Sequence, residues 1–373
     1  LPVNSPTVLD FKLEVVTSIH VWDGERRLIG LDVVPLKSEA CIVDIEKIDV
    51  NKIGVVPSSY QKFEESVRNW IETGIMDCSR KIPLNATPRK AEEVKLLPPL
   101  YIPASSLKGY IRTALLYHLL MEAASTQGKQ AVASLLLKLV KLSSKPEVMD
   151  REVESVFMAR PRFGKQGGSV DMLQQLHLAE PKAIKASSSI NRAVVIDVNG
   201  NLVADPLLEV LLPGSTLEYQ IRIPPLVSQN SVRIRGKDAG TLSQIIQLYN
   251  NLTPQLLSKA LSEFGRAQLE HELDRVKKVS QSLASKGFDL SAYKDVLELL
   301  ASDKCIPVRL GFATSHVSKT ILLAVDQVAP NLSQQVRSTM SKHVGRTWDE
   351  LTFKLVNMDR RWLGLGWAKL CTT

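Results

Sequence analysis

The sequence predicts an α+β fold, with strand-forming sequence at both ends of the chain and helical sequence inserted between them. Three observations carry this expectation. Residues 8–19, VLDFKLEVVTSI, alternate apolar and polar side chains with the period of two of a half-buried strand. The longest helical pattern, 253–286, has Thr253 as a cap and Pro254 at the first helical position, with Leu257, Leu261, Phe264, Ala267 and Val276 at helical spacing. Strand-like sequence then returns at PVRLGFATS and in FKLVNMDRRWLGLGWAKL at the end.

Taken in order, HVWDGERR follows the first strand and carries the turn signal Asp23-Gly24, and LIGLDVVPL beyond it is again β-prone. Residues 42–56, rich in Ile and Val, read as a further strand. Ser58 or Ser59 caps a helix through Glu72 whose apolar face carries Phe63, Val67, Trp70 and Ile71, and Gly74 stops it. In LPPLYIPASSLKGYIRTALLYHLLMEAAS, Pro98, Pro99 and Pro103 keep the approach extended, because proline disfavours the helical conformation of its predecessor. Ser105 or Ser106 then opens a helix that buries Leu107, Ile111, Leu115 and Leu119, and QAVASLLLKLVKL is helical again after Gly128. Residues 158–192 change character: Arg160, Arg162, Lys165, Lys182, Lys185 and Arg192 outnumber Asp171 and Glu180, with Gly164, Gly167 and Gly168 among them. Weak apolar periodicity makes this segment a long loop or projecting hairpin rather than core. AVVIDV, the hairpin signal Asn199-Gly200 and STLEYQIRI restore strand. Gly287 ends the long helix, and Ser291 opens a shorter one through Leu300. The closing segment reads as a strand, a glycine loop and a final strand.

The 373 residues carry 47 Lys and Arg against 39 Asp and Glu, a net charge of +8 that suits a polyanionic partner without demanding one. A hydrophobic share of 44% argues against a mostly disordered chain, and an aromatic share of 5% limits any role for rows of base-stacking rings. Cys41, Cys78, Cys305 and Cys371 lie far apart and form no CxxC pair, so reduced structural thiols are expected and a zinc site is not. No apolar run reaches the roughly 20 residues of a membrane span. The start, LPVNSPTVLDFKLEVV, lacks a signal-peptide core, so the expectation is a cytoplasmic protein.

Three segments are candidates for binding. Ser105, Ser106 and Lys108 stand at a helix start, where exposed N–H groups and the helix dipole suit a phosphate, and Arg112 shares a face with Lys108. The same pattern also describes an ordinary helix cap with solvated basic residues. In RLGFATSHVSKT, Arg309 and Lys319 flank small polar residues, with Thr314, Ser315 and Ser318 as further phosphate contacts and Phe312 as a stacking or buried ring. A capped turn accounts for this segment equally. In the terminal RRWLGLGW, the glycines favour tight strand packing, and Arg360 and Arg361 remain as phosphate contacts. The catalytic search is poor. Six histidines are scattered, and there is no HExxH, Walker A loop, GxSxG elbow or dinucleotide fingerprint. His20 and His316, each following a strand beside a polar loop, are the histidines placed for RNA contact or acid–base work. No metal and no cofactor is expected.

YIPASSLKGYIRTALL resembles the signature of the RAMP superfamily, in which a proline-containing approach leads to a Gly-Ser-Ser-Leu-Lys-Gly-type helix start. LEVVTSIHVWDGE is similar to that family's first strand and its His-Ile-Gly-x-Gly turn. RLGFATSHVSKT resembles its late strand and glycine-rich loop, and GWAKL its closing strand. The matches fall in family order across residues 8–370. Ala104, Trp22, Ala313, Thr314 and Ser315 stand where the family usually has glycine or another small residue. Within the superfamily, the spread of motifs and VDMLQQLHLAEP most resemble the type III-A and III-D CRISPR effector subunit that caps the guide RNA 3′ end.

The resemblance implies a ferredoxin-like (RRM-like) RAMP core with large helical and loop insertions. Residues 1–252 would form its first part, with a thumb-like basic segment at about 150–210. Residues 253–304 would be a helical insertion, and 305–373 the strands completing the core. It implies partners in the guide (CRISPR) RNA, the target RNA, a neighbouring RAMP backbone subunit and small helical subunits. It also implies RNA contacts at His20, Ser105, Ser106, Lys108, Arg112, Arg160, Arg162, Lys165, Arg309, Thr314, Ser315, Ser318 and Lys319. The expected role is non-catalytic. In related subunits an Asp after the first strand cleaves target RNA, and Asp23 and Asp32 both lie in that neighbourhood. Two alternatives remain: a metal-independent RAMP endoribonuclease acting on precursor guide RNA through His20 or His316, and an assembly protein whose 253–300 helices bind protein.

Overall fold

The computed structural model describes residues 5–44, 59–99, 101–140, 146–161, 169–225, 239–344 and 352–373. The chain runs through β1 (Thr7–Val15), β2 (Arg27–Leu28), β3 (Val33–Pro35), β4 (Glu39–Val43), α1 (Tyr60–Glu72), β5 (Cys78–Pro83) and β6 (Glu93–Lys95). Three helices follow, α2 (Ala104–Gln127), α3 (Lys129–Leu139) and α4 (Pro146–Phe157). Next come β7 (Ala159–Pro161), β8 (Ser169–Asp171), β9 (His177–Leu178), β10 (Lys182–Lys185), β11 (Ser188–Asp197), β12 (Leu202–Ala204), β13 (Leu207–Leu211) and β14 (Thr216–Ile223). A helical block of α5 (Ala239–Asn250), α6 (Pro254–Ala284) and α7 (Ser291–Ser302) leads to β15 (Ile306–Arg309). The chain then passes through α8 (His316–Lys319), α9 (Leu322–Val328) and α10 (Pro330–Val344) to β16 (Thr352–Met358), β17 (Arg361–Gly364) and β18 (Trp367–Thr372). The fold is α+β.

Two sheets organise these elements. The first has the order β10-β14-β1-β18-β15, antiparallel throughout, with β9 also paired to β14. β1 lies at its centre, and its alternation buries Phe11, Leu13 and Val15 while Asp10 and Lys12 face solvent. The buried stripes of α2 (Leu107, Ile111, Leu115) and α6 (Leu257, Leu261, Phe264) share one core with those β1 side chains. The helix comes close: a Cβ on Gly265 of α6 would stand 2.0 Å from the Pro307 carbonyl oxygen of β15. The second sheet has the order β17-β16-β11-β13-β6-β2 and rests on α7 through Tyr293, Leu297, Phe353 and Leu363. β3-β4-β5 and β7-β8 form two smaller sheets. Among the described residues, no helix is long and apolar enough to cross a membrane.

Most expected elements lie where periodicity put them. Ser59 caps α1, and Thr253 caps α6 with its hydroxyl accepting from the Leu256 N–H at 3.1 Å. Three expectations need correction. The 158–192 segment is a hairpin only over β7 and β8; beyond it, Met172, Leu173 and Leu176 are buried and β10 and β11 join the two large sheets. Its polar residues disguised the strand, because Ser189 and Asn191 are buried on each other and Arg192 is held by Glu92 at 2.6 Å. At the end of the chain there are three strands, not two. Asp359 and Arg360 both adopt positive φ (50° and 65°), so a tight turn forms without glycine and pairs Met358 with Arg361. Much of the strand expected at 42–56 falls on residues 45–58, outside the described residues.

The cysteines are the third correction. Cys41 of β4 is bonded to Cys78 of β5, and Cys305, just before β15, to Cys371 of β18. Distance in sequence was no guide, because antiparallel pairing brings each pair to 5.3 Å and 4.8 Å between Cα atoms. Native protein treated with iodoacetamide should therefore gain no carbamidomethyl group by intact mass, and should gain four after reduction and unfolding. Alkylation of the unreduced, unfolded chain would show free thiols instead.

Candidate nucleic-acid interface

Three segments far apart in sequence meet at one cleft of about 580 Å³. They are the tail of β1 (His20, Val21, Trp22), the first turns of α2 (Ser105, Ser106, Gly109, Arg112) and the loop after β15 (Leu310 to Lys319). Backbone bonds lace the inner wall together. The Gly366 N–H donates to Ser18 O at 2.9 Å, Leu310 N–H to Gly366 O at 2.8 Å, and Phe312 N–H to His20 O at 2.7 Å. Gly311 permits that last contact. Its φ is +77°, and a Cβ there would stand 2.1 Å from the His20 carbonyl oxygen. Lys354 of β16 braces the loop from below, donating to Phe312 O at 2.7 Å with its ammonium 4.8 Å from the ring centre.

His20 forms part of the cleft wall yet is only 1% exposed. Its Nδ1 lies 2.7 Å from the Glu209 carbonyl oxygen, which only accepts, so Nδ1 carries the proton. Burial pushes its pKa down to about 4, against the opposing effect of the Glu209 bond. The ring is therefore neutral at neutral pH, and Nε2 is a buried acceptor with no partner among the described residues. Glu209 itself is a junction: its carboxylate accepts from Leu97 N–H at 2.9 Å and Ser188 Oγ at 2.7 Å, and pairs with Arg80 at 2.6 Å.

The outer wall is small and basic. Ser105 and Gly109 are exposed, and nothing lies within 4 Å of where a Gly109 Cβ would be. Lys319 is exposed, has no hydrogen bond or ion pair among the described residues, and has its pKa lowered by partial burial. Lys95 stands 5.1 Å from the centre of the Trp22 ring, which is 42% exposed.

The other expected contacts are placed differently. Lys108 turns from the cleft and donates to Leu176 O at 2.9 Å. Arg112 lines the cleft, but its guanidinium is clamped by Glu154 at 2.7 Å and Asp171 at 2.6 Å. The helix begins at Ala104, not at a serine, and its first N–H donates to Glu180 Oε2 at 2.9 Å, so a carboxylate occupies the place expected for phosphate. Arg309 is buried against Glu272 at 3.0 Å and over Trp367. Thr314 turns its hydroxyl back to Gly311 O at 2.6 Å, Ser315 precedes α8 outside the cleft, and Ser318 is buried in the cleft wall. Arg160 lies on β7, whereas Arg162 and Lys165 fall outside the described residues. Asp23 pairs with Arg27 at 2.5 Å, and Asp32 accepts from the Leu28 N–H at 2.8 Å; both hold turns. In the terminal segment, a Cβ on Gly364 would enter the Tyr293 ring at 2.2 Å, so that glycine serves packing. Sequence reasoning did not single out Lys95, Lys354, Glu209 or Glu272. Lys95, Lys354 and Glu209 are brought here by the pairing of strands distant in sequence, and Glu272 by the packing of α6 against β15.

No protein-family model and no curated protein matches the sequence. Solved structures do. A chain of the cryo-EM structure of a Csm–crRNA–target RNA ternary complex from a type III-A CRISPR-Cas system matches with a TM-score of 0.63 and 19% identity, over 97% of this chain and 100% of that one. T. onnurineus Csm5 matches with a TM-score of 0.60 and 17% identity, over 96% and 99%. At such identities the likeness is one of fold, and it extends over nearly the whole of each chain.

Proposed function

We propose that this chain, which has the fold of type III-A Csm proteins, is a non-catalytic RAMP-type subunit of a type III CRISPR effector complex that holds the 3′ region of the guide RNA. One observation carries the reading: three motifs spread over 300 residues converge on a single cleft, with Lys95 and Lys319, which make no hydrogen bond or ion pair among the described residues, at its rim and small residues on one wall. The path β1-α2-β10-β14-α6-β18, with spatial order β18-β1-β14-β10, supports a ferredoxin-like core beneath that cleft. Target RNA, a backbone RAMP subunit and small helical subunits are the partners this role calls for, in the cytoplasm. A His20 held neutral to about pH 4 is a weak base, and Asp23 and Asp32 are occupied in turns; both favour binding over cleavage.

The test is to purify the chain with its native partners and sequence the RNA that accompanies it. Repeat-spacer RNAs crosslinked to this chain near their 3′ ends are expected, and an intact assembly without small RNA would refute the reading. Lys95→Ala and Lys319→Ala should each weaken binding alike for all sequences and lower the salt slope by roughly one, as loss of one phosphate contact does. An unchanged slope removes that lysine from the interface. The endoribonuclease reading keeps one observation, the Nε2 of His20 without a partner among the described residues, and predicts discrete cleavage of repeat RNA in EDTA that His20→Ala abolishes.

A further inference from the structure

His20 and Arg309 both line the cleft, and each keeps one buried nitrogen without a partner among the described residues, Nε2 and Nε. Leaving such a group unsatisfied costs on the order of 1–3 kcal/mol, so each is a group that a bound water or ligand atom would complete. Their chemistry differs. Arg309 Nε donates. Nε2 only accepts, because the ring's one proton is committed to the Glu209 carbonyl through Nδ1. Its partner must therefore be a donor.

The choice of donor follows from what a guide-holding site is able to read. Guide sequences are read by base pairing, and the protein holds the backbone irrespective of sequence. The phosphodiester oxygens, O4′ and the bridging oxygens of that backbone only accept. Within a chain, its single hydrogen-bond donor is the ribose 2′-hydroxyl, which also accepts and which DNA lacks. We propose that the cleft reads the sugar: the 2′-hydroxyl of one guide nucleotide donates to His20 Nε2, so this site selects RNA over DNA of the same sequence. This rests on the guide-holding role proposed above and adds a specificity-determining residue to it. The neutral, acceptor-only ring suits the task, since a protonated imidazole would present a second donor and pair with phosphate instead. Lys95 and Lys319 at the rim then take the phosphates, and Arg309 Nε, in the same wall, is the one further buried nitrogen there without a partner among the described residues.

The test is a scan of the guide's 3′ region with single 2′-fluoro substitutions, measuring binding to the full-length chain. Fluorine preserves the ribo-type sugar but donates no hydrogen bond. One position is expected to lose roughly three- to tenfold in affinity, the worth of one neutral hydrogen bond, whereas base changes there have little effect. The loss at that position should disappear in His20→Phe. Uniform tolerance of fluorine, a dependence on the base, or a fluorine effect unchanged in His20→Phe would each overturn the proposal. If His20→Phe fails to fold, the scan on the natural chain still decides between donation and indifference. Failure to bind even unmodified RNA would instead refute the guide-holding role itself, so the two failures are distinguishable.

Discussion

Glu272→Ala is expected to lower the stability of the chain by roughly 3–5 kcal/mol, the usual cost of removing one partner of a buried ion pair. Glu272 of α6 is 1% exposed and binds three groups: Arg309 at 3.0 Å, Arg275 at 2.8 Å and the Tyr293 hydroxyl at 2.9 Å. Tyr293 in turn accepts from Trp367 Nε1 at 2.9 Å. One carboxylate thus ties the long helix to β15, α7 and β18, and its loss leaves the Arg309 charge buried with no anion beside it. Urea denaturation midpoints of the natural chain and the variant measure this. Converting both partners, Glu272→Met with Arg309→Met, should cost less than the sum of the single changes, because neither charge is then stranded. Full additivity would show that the pair is not coupled.

The same carboxylate predicts an acid limb. Burial by itself would raise the pKa of Glu272, but the Arg309 and Arg275 charges, with hydrogen bonds from Arg309 and Tyr293, outweigh it and hold the value at about 2. An unfolded glutamate titrates near 4.3. The contribution of Glu272 is therefore complete above about pH 4.3 and is lost as pH falls towards about 2. Glu272→Gln should flatten the fall in stability over that window.

The second large effect is at Gly311. Gly311→Val places a branched side chain at φ +77°, with its Cβ 2.1 Å from the His20 carbonyl oxygen. Left-handed backbone costs a residue other than glycine roughly 1–2 kcal/mol, and overpacking roughly 1–3 kcal/mol more. The loop must withdraw from the β1 tail and break the 2.7 Å bond from Phe312 N–H to His20 O, so the inner wall opens. The thermal midpoint should fall and, under the proposed guide-holding role, RNA affinity with it. Gly109→Ala is the contrast. It lies inside α2 with nothing within 4 Å of its Cβ, so the change should raise stability by roughly 0.5–1 kcal/mol. A Gly311→Val protein as stable as the natural chain would show that the loop is not seated on β1.

Elements set by short-range patterns were legible in the sequence. β1 declared itself by alternation, α6 by its Thr253-Pro254 start, and α2 by its apolar stripe after three prolines. Where a pattern was masked by side chains that find partners elsewhere, reading failed. β11 carries Ser189, Asn191 and Arg192 at strand positions, and each is acceptable there only because of a bond made in the folded state. The hairpin at Asp359-Arg360 used two side-chain-bearing residues where glycine was the expected signal.

For the candidate site, the three segments singled out by sequence, the tail of β1, the start of α2 and the loop after β15, all line one cleft. Those assignments rest on residue type and local spacing, which survive folding unchanged. Only the tertiary structure decided which charges remain free. Lys108, Arg112 and Arg309 are all basic residues in the expected segments, yet a carbonyl or carboxylate 37 to 68 positions away claims each of them. Lys319 makes no hydrogen bond or ion pair among the described residues, and Lys95 arrives from a strand with no binding motif. It also decided that His20 is a neutral acceptor: burial keeps the ring uncharged, and a carbonyl 189 residues distant binds its one N–H. The reason is physical: charge and hydrogen-bond capacity belong to pairs of groups, and the chain's long-range pairing chooses the partners.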